Sequence, residues 1–122
     1  MEIAIKIIIG LIALLHLYIL WLEMFAWETK GPKVFRSIPK GLFGQTKVMA
    51  ANQGLYNGFL AAGLIWTFFI SNIEWRNNVA LFFLGCIAVA GIYGAMTASK
   101  KIFFFQTVPA LLGIGLILSQ NL

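Results

Sequence analysis

Residues 3–22 read IAIKIIIGLIALLHLYILWL, an apolar run interrupted only by Lys6 and His16. About 20 such residues are what a helix needs to cross the ~30 Å hydrocarbon layer of a bilayer. The run can be extended through Glu23 to Trp27. Three more apolar segments follow at 48–70, 79–98 and 102–118. A helix satisfies its own backbone groups in lipid, so the four segments predict four transmembrane helices. The short alternating segments of a transmembrane β-barrel are not seen. The first segment has no small-x-small cleavage site, and Trp21, Glu23, Trp27 and Glu28 crowd its end, so it reads as a retained helix and not as a signal peptide. The expected fold is all-α, a four-transmembrane-helix bundle forming a single membrane domain over residues 1–122.

The composition agrees. Of 122 residues, 61% are hydrophobic and 11% charged, against roughly 45–50% and about 25% in average soluble chains. Mean hydropathy is +0.90. A soluble globule this small could not cover its surface with so few charges. Soluble, disordered and nucleic-acid-binding classes are therefore excluded, and the net charge of +5 bears on membrane orientation. The single cysteine, Cys86, lies in an apolar run and reads as a packing residue; it excludes an internal disulfide and Cys-rich metal sites.

Lysine and arginine near helix ends set the orientation. Seven of them, Lys30, Lys33, Arg36, Lys40, Lys47, Lys100 and Lys101, fall in the first and third connections, against Lys6 and Arg76 on the opposite side. Both termini are thus expected outside, with the long basic connection 28–47 in the cytoplasm. That connection holds the helix breakers Gly31, Pro32, Pro39, Gly41 and Gly44. Phe35, Ile38, Leu42 and Phe43 among its cations suggest a stretch lying along the lipid headgroups. Trp27 and Trp75 are placed as inner and outer members of an aromatic belt.

Polar groups inside membrane helices are costly, so each marks a candidate site. His16 and Glu23 are two turns apart on one face of the first helix. They are the candidate catalytic pair, able to exchange protons; an interhelical bond for His16 and a snorkelling or capping role for Glu23 are the plainer alternatives. In the second helix Asn52 and Tyr56, and Gln53 and Asn57, are each four apart and make one broad polar face. Gly54, Gly58 and Ala61 form a small-residue strip beside it, of the kind that lets helices approach closely. Tyr93 of the third helix and Gln106 of the fourth complete the candidate ligand-binding set. Pro109 leaves a helix carbonyl without its donor. Measured at 1.5 Å per residue from the cytoplasmic helix ends, Glu23 lies about 6 Å deep, Gln53, Tyr93 and Gln106 about 5–7 Å, and Asn57 and His16 about 14–16 Å. All four helices place polar groups in the inner half, which suggests a pocket open to the cytoplasm or inner leaflet.

The stretches His16-Leu-Tyr-Ile-Leu-Trp-Leu-Glu23-Met-Phe-Ala-Trp27 and Asn52-Gln-Gly-Leu-Tyr-Asn57-Gly-Phe59 resemble the signature of a bacterial membrane protein family catalogued as domain of unknown function 1304. Gly91-Ile-Tyr-Gly94 and Gln106-x-x-Pro109-Ala110 are similar too. The resemblance implies four helices in a bacterial cell membrane and no assigned activity. In plan the chain also resembles small multidrug-resistance transporters, though Glu23 stands near a helix end and the charge bias opposes their mixed insertion. The chain also resembles in plan styrene oxide isomerase, a small four-helix membrane protein that uses haem at a subunit contact. His16 is compatible with haem ligation; no other metal site is expected.

Three functions remain open from these residues. One is a multi-pass inner-membrane protein whose polar pocket binds or converts a small lipophilic molecule. The second is a proton-coupled exporter, which the apolar outer half disfavours. The third is a structural or accessory subunit in which the amides join helices. The glycine strips suggest subunit contacts as well, and a homo-oligomer is expected.

Overall fold

A computed structural model of the chain describes residues 2–120, and among these there is no β-strand. The described residues form α1 (Glu2–Phe25), α2 (Gly31–Val34), α3 (Lys47–Thr67), α4 (Ile73–Thr97) and α5 (Val108–Ser119). A 3-10 turn spans Lys40–Leu42, and a π turn, Phe103–Thr107, leads into α5. The all-α class is as expected. α1 and α4 are long and apolar enough to cross a membrane. A shorter apolar helix covers Phe103–Ser119. α3 has 21 residues but carries Asn52, Gln53 and Asn57 in its first half.

The apolar residues of α1 and α4 outnumber the positions that the chain itself buries. In the most apolar window of each, 28% is buried. Ile5, Ile9 and Ile12 form a buried stripe on α1, while Ile3, Ile7, Leu11 and Leu14 on its other faces are exposed. A helix that is apolar all round but buried on one stripe suits apolar surroundings.

Three boundaries differ from the hydropathy reading, each for a local reason. α4 begins at Ile73, well before residue 79, because the Asn72 side chain accepts the Trp75 N–H at 2.9 Å and caps the helix. Glu74, Arg76, Asn77 and Asn78 make that first stretch polar, which hid it. α3 stops at Thr67 and not 70; the N–H groups of Phe68, Phe69 and Ile70 turn back to the carbonyls of Ile65, Trp66 and Thr67. Before Pro109, the helix widens so that the Val108 N–H reaches the Phe103 carbonyl. Such π adjustments let a membrane helix tolerate the missing proline donor.

The chain divides into two compact units. The first comprises residues 14–61: the latter part of α1, the basic connection and the first part of α3. Here α1 and α3 pack antiparallel: Gly54 lies against Glu23, Met24 and the Leu20 carbonyl, and Gly58 against Leu20. The connection has its own small core, in which Trp27 and Phe43 (8% and 2% exposed) pack with Ala50, flanked by Phe35 and Ile38. Of the apolar residues of the connection, Phe43 belongs to this core, Phe35 and Ile38 pack against it, and Leu42 stays exposed. Trp27 lies inside this core, whereas Trp75 is exposed.

The second unit comprises residues 2–13 and 62–120. Its core is made of stripes with helical spacing: Ala80, Leu84, Ile87, Ala88 and Gly91 on α4, and Ala110, Gly113 and Ile117 on α5. The antiparallel α4–α5 contact is tight. A Cβ on Gly91 would run into the Thr107 hydroxyl and backbone, and one on Gly94 would meet Ile102 at 3.0 Å. The buried Thr107 hydroxyl donates to the Ala88 carbonyl at 3.0 Å. The small-residue strips of α3 and α4 are thus used in contacts within each unit.

Candidate functional site

Two glycines bring the polar faces of α1 and α3 together. Glycine at position 54 lets the α3 backbone approach to where an added Cβ would be 3.1 Å from the Glu23 Cβ and 3.1 Å from the Leu20 carbonyl oxygen. At that separation Asn57 Nδ2 donates to Glu23 Oε1 at 2.8 Å. Its second hydrogen goes to the Gln53 carbonyl at 3.1 Å. Both acceptors are oxygens, so the amide orientation is fixed with its nitrogen toward Glu23. Among the described residues Asn57 is the sole hydrogen-bond partner of the Glu23 carboxyl. A carboxyl offers about four acceptor sites, so most of its capacity is left over. Asn57 Oδ1 adds a further acceptor at the pair, and one turn earlier on α3 the Gln53 side chain is exposed.

The other expected site residues are described by their own burial and contacts. His16 is fully buried. It lies two turns, about 10 Å, before Glu23 along α1, and the Glu23 carboxyl pairs with Asn57. Asn52 donates to the carbonyl of Val48 on its own helix at 2.9 Å. Tyr56 is exposed, its ring edge-on to Phe59. Tyr93 and Gln106 belong to the second unit: Tyr93 is exposed, with its carbonyl accepting from Thr97, and Gln106 is half-buried with its Cβ near Gly91.

Two small cavities lie elsewhere. One, of about 80 Å³, is lined by Glu2, Lys6, Thr67, Arg76, Asn77 and apolar neighbours. The other is an open apolar groove between Trp66, Trp75, Phe82 and Phe83. Neither is lined by His16, Glu23, Gln53, Asn57 or Gln106. The Glu23–Asn57 site is a hydrogen-bonded pair at the contact of two helices.

Several polar contacts had no signal in spacing or periodicity. Trp27 Nε1 donates to Thr46 Oγ1 at 3.0 Å, and that hydroxyl donates to the Leu42 carbonyl at 2.8 Å. Glu28 pairs with Lys47 at 3.2 Å across the mouth of the connection. Arg76 pairs with Glu2 at 2.9 Å, and Lys6 lies 3.6 Å from the same carboxyl. The Lys6–Glu2 pair is the exception: four residues apart on a helix, it has a spacing that favours contact.

These features define a small all-helical protein with two helices fit to span a membrane and a carboxyl–amide pair joining two of its helices. A model of the family described as "Protein of unknown function (DUF1304)" matches residues 10–118, and the chain belongs to that family. It is similar to "Uncharacterized protein YpaA" of Lactococcus lactis subsp. lactis (strain IL1403), 35% identical over 106 residues that cover 85% of this chain and 87% of the relative. No solved structure matches.

Proposed function

We propose that this is a multi-pass protein of the bacterial inner membrane in which Glu23, Asn57 and Gln53 hold the polar group of a small lipophilic molecule. The single observation that carries this reading is the Glu23 carboxyl, bonded to Asn57 at 2.8 Å with the rest of its acceptor capacity open. An ionisable group at membrane depth is expensive and marks function by default. The ligand would be a small amphiphile whose hydroxyl, amide or amine donates to Glu23 Oε2 or Asn57 Oδ1.

Four crossings, with alternate helices running in opposite directions, are supported by three contacts. Arg76 at the start of α4 pairs with Glu2 at the start of α1. α1 and α3 are antiparallel where Gly54 meets Glu23. α4 and the α5 region are antiparallel where Gly91 meets Thr107. The distribution of Lys and Arg then puts the basic connection in the cytoplasm.

A second reading is favoured by the close Gly54 packing: the pair only joins helices. Thermal unfolding in detergent, with mass spectrometry of co-purified small molecules, separates the two. Under the binding reading wild type carries a lipophilic donor that Glu23→Gln and Asn57→Leu lose. A double variant, Glu23→Leu with Asn57→Leu, then stays as stable as wild type, because removing both partners leaves no orphaned polar group. If wild type carries nothing and each single variant loses stability, by about 0.6 kcal/mol per interhelical hydrogen bond, the binding reading fails.

A further inference from the structure

The basic connection is more than a string of charges, because it is folded. The Trp27 ring packs at a tilt against Phe43 and Phe35, with centroids 4.9 and 5.3 Å away. Its indole is tied to Thr46, and Thr46 to the Leu42 carbonyl. Gly31 is buried beneath Phe43, where a Cβ would come within 2.8 Å of the ring. Glu28 and Lys47 close the ends at 3.2 Å. With the aromatic residues turned into this core, its outer surface is left to the cations.

Lys30, Lys33, Arg36 and Lys40 are exposed, and none has an acidic partner among the described residues. Arg36 Nε donates to the Lys33 carbonyl at 3.3 Å, which holds the guanidinium base against the backbone. Among these cations, Val34 and Leu42 are exposed apolar side chains. Orienting a protein in the membrane requires only that cations be present on one side; it requires no folded platform to carry them. A rigid cationic surface beside the end of a membrane helix is suited to recognition, since less ordering entropy is lost on contact.

We propose that the folded connection is a docking surface for anionic phospholipid headgroups of the inner leaflet. Lys30, Lys33, Arg36 and Lys40 contact the phosphates, and Val34 and Leu42 enter the interfacial layer. Each such cation near an anionic surface strengthens association about fivefold. The proposal rests on the cytoplasmic placement of the connection given above but not on Glu23, so loss of the Glu23 binding reading leaves it standing.

The test uses the full chain in nanodiscs of phosphatidylcholine alone or mixed with phosphatidylglycerol. Both faces of a disc are open, so orientation does not enter. Phosphatidylglycerol raises the unfolding temperature of the wild type, and high salt reduces the gain. The variant with Gln at positions 30, 33, 36 and 40 loses the gain, while Lys100→Gln with Lys101→Gln keeps it. Should the fourfold variant fail to fold, Lys33→Gln alone is read by native mass spectrometry, with phosphatidylglycerol retention weakened about fivefold. The proposal is overturned if the two lipids give equal stability. It is also overturned if the Lys100 and Lys101 changes abolish the gain equally, or if inorganic phosphate added to phosphatidylcholine discs reproduces it.

Discussion

Replacing glycines by alanine one at a time measures how closely α1 and α3 approach. At Gly54 a new Cβ meets Met24 Cγ at 2.7 Å, Glu23 Cβ at 3.1 Å and the Leu20 carbonyl oxygen at 3.1 Å. The Met24 side chain can swing away, but the other two atoms are fixed to the α1 backbone. Relief needs the helices to part by a few tenths of an ångström, an overpacking cost of about 1–3 kcal/mol. Against it stands the better helix propensity of alanine, worth about 0.8–1 kcal/mol. The net expectation for Gly54→Ala is a loss of about 1 kcal/mol. At Gly58 the only atoms met are Leu20 Cδ1 and Cγ, the movable end of a side chain, so Gly58→Ala is close to neutral. At Gly85 nothing lies within 4 Å, and Gly85→Ala is neutral to stabilising by up to about 1 kcal/mol. Thermal or denaturant unfolding in one detergent ranks the three. If Gly54→Ala proved as stable as Gly85→Ala, the close α1–α3 approach, and with it the setting of the Glu23–Asn57 bond, would be refuted.

Two further outcomes follow from the same reasoning. Thr107→Val removes the buried bond to the Ala88 carbonyl at nearly constant volume and is expected to cost about 0.6 kcal/mol, and no more than about 1.7, in the same unfolding assay; no loss at all would mean that the hydroxyl bonds elsewhere. Reporter fusions at the C-terminus and at Lys40 are expected to give an external and a cytoplasmic signal respectively, and a cytoplasmic signal at the C-terminus would reverse the orientation argued from Lys and Arg.

Helix faces are written in sequence because periodicity is a local property. The row Gln53–Asn57, the strip Gly54–Gly58–Ala61 and the stripe Ile5–Ile9–Ile12 can be placed by counting residues, and the structure uses each as a face. Helix ends were less legible where a cap outweighed hydropathy, as at Asn72, or where proline forced a wider turn, as before Val108. Both effects come from single hydrogen bonds of a backbone N–H, one to a side chain and one to a carbonyl, which an average over an apolar window does not register.

What counting could not supply is which faces meet, and at what height. Glu23 and Asn57 are 34 residues apart, and nothing local to either selects the other. Their pairing follows from the register in which Gly54 admits the Leu20–Met24 turn, a matter of shape between two helices. The basic connection shows the same division. Its cations and helix breakers determine by themselves that it is a charged, interrupted stretch. The direction of Phe35 and Phe43 was decided by Trp27, whose ring gives both a surface to bury against that the linear sequence presents only as another aromatic residue at a helix end.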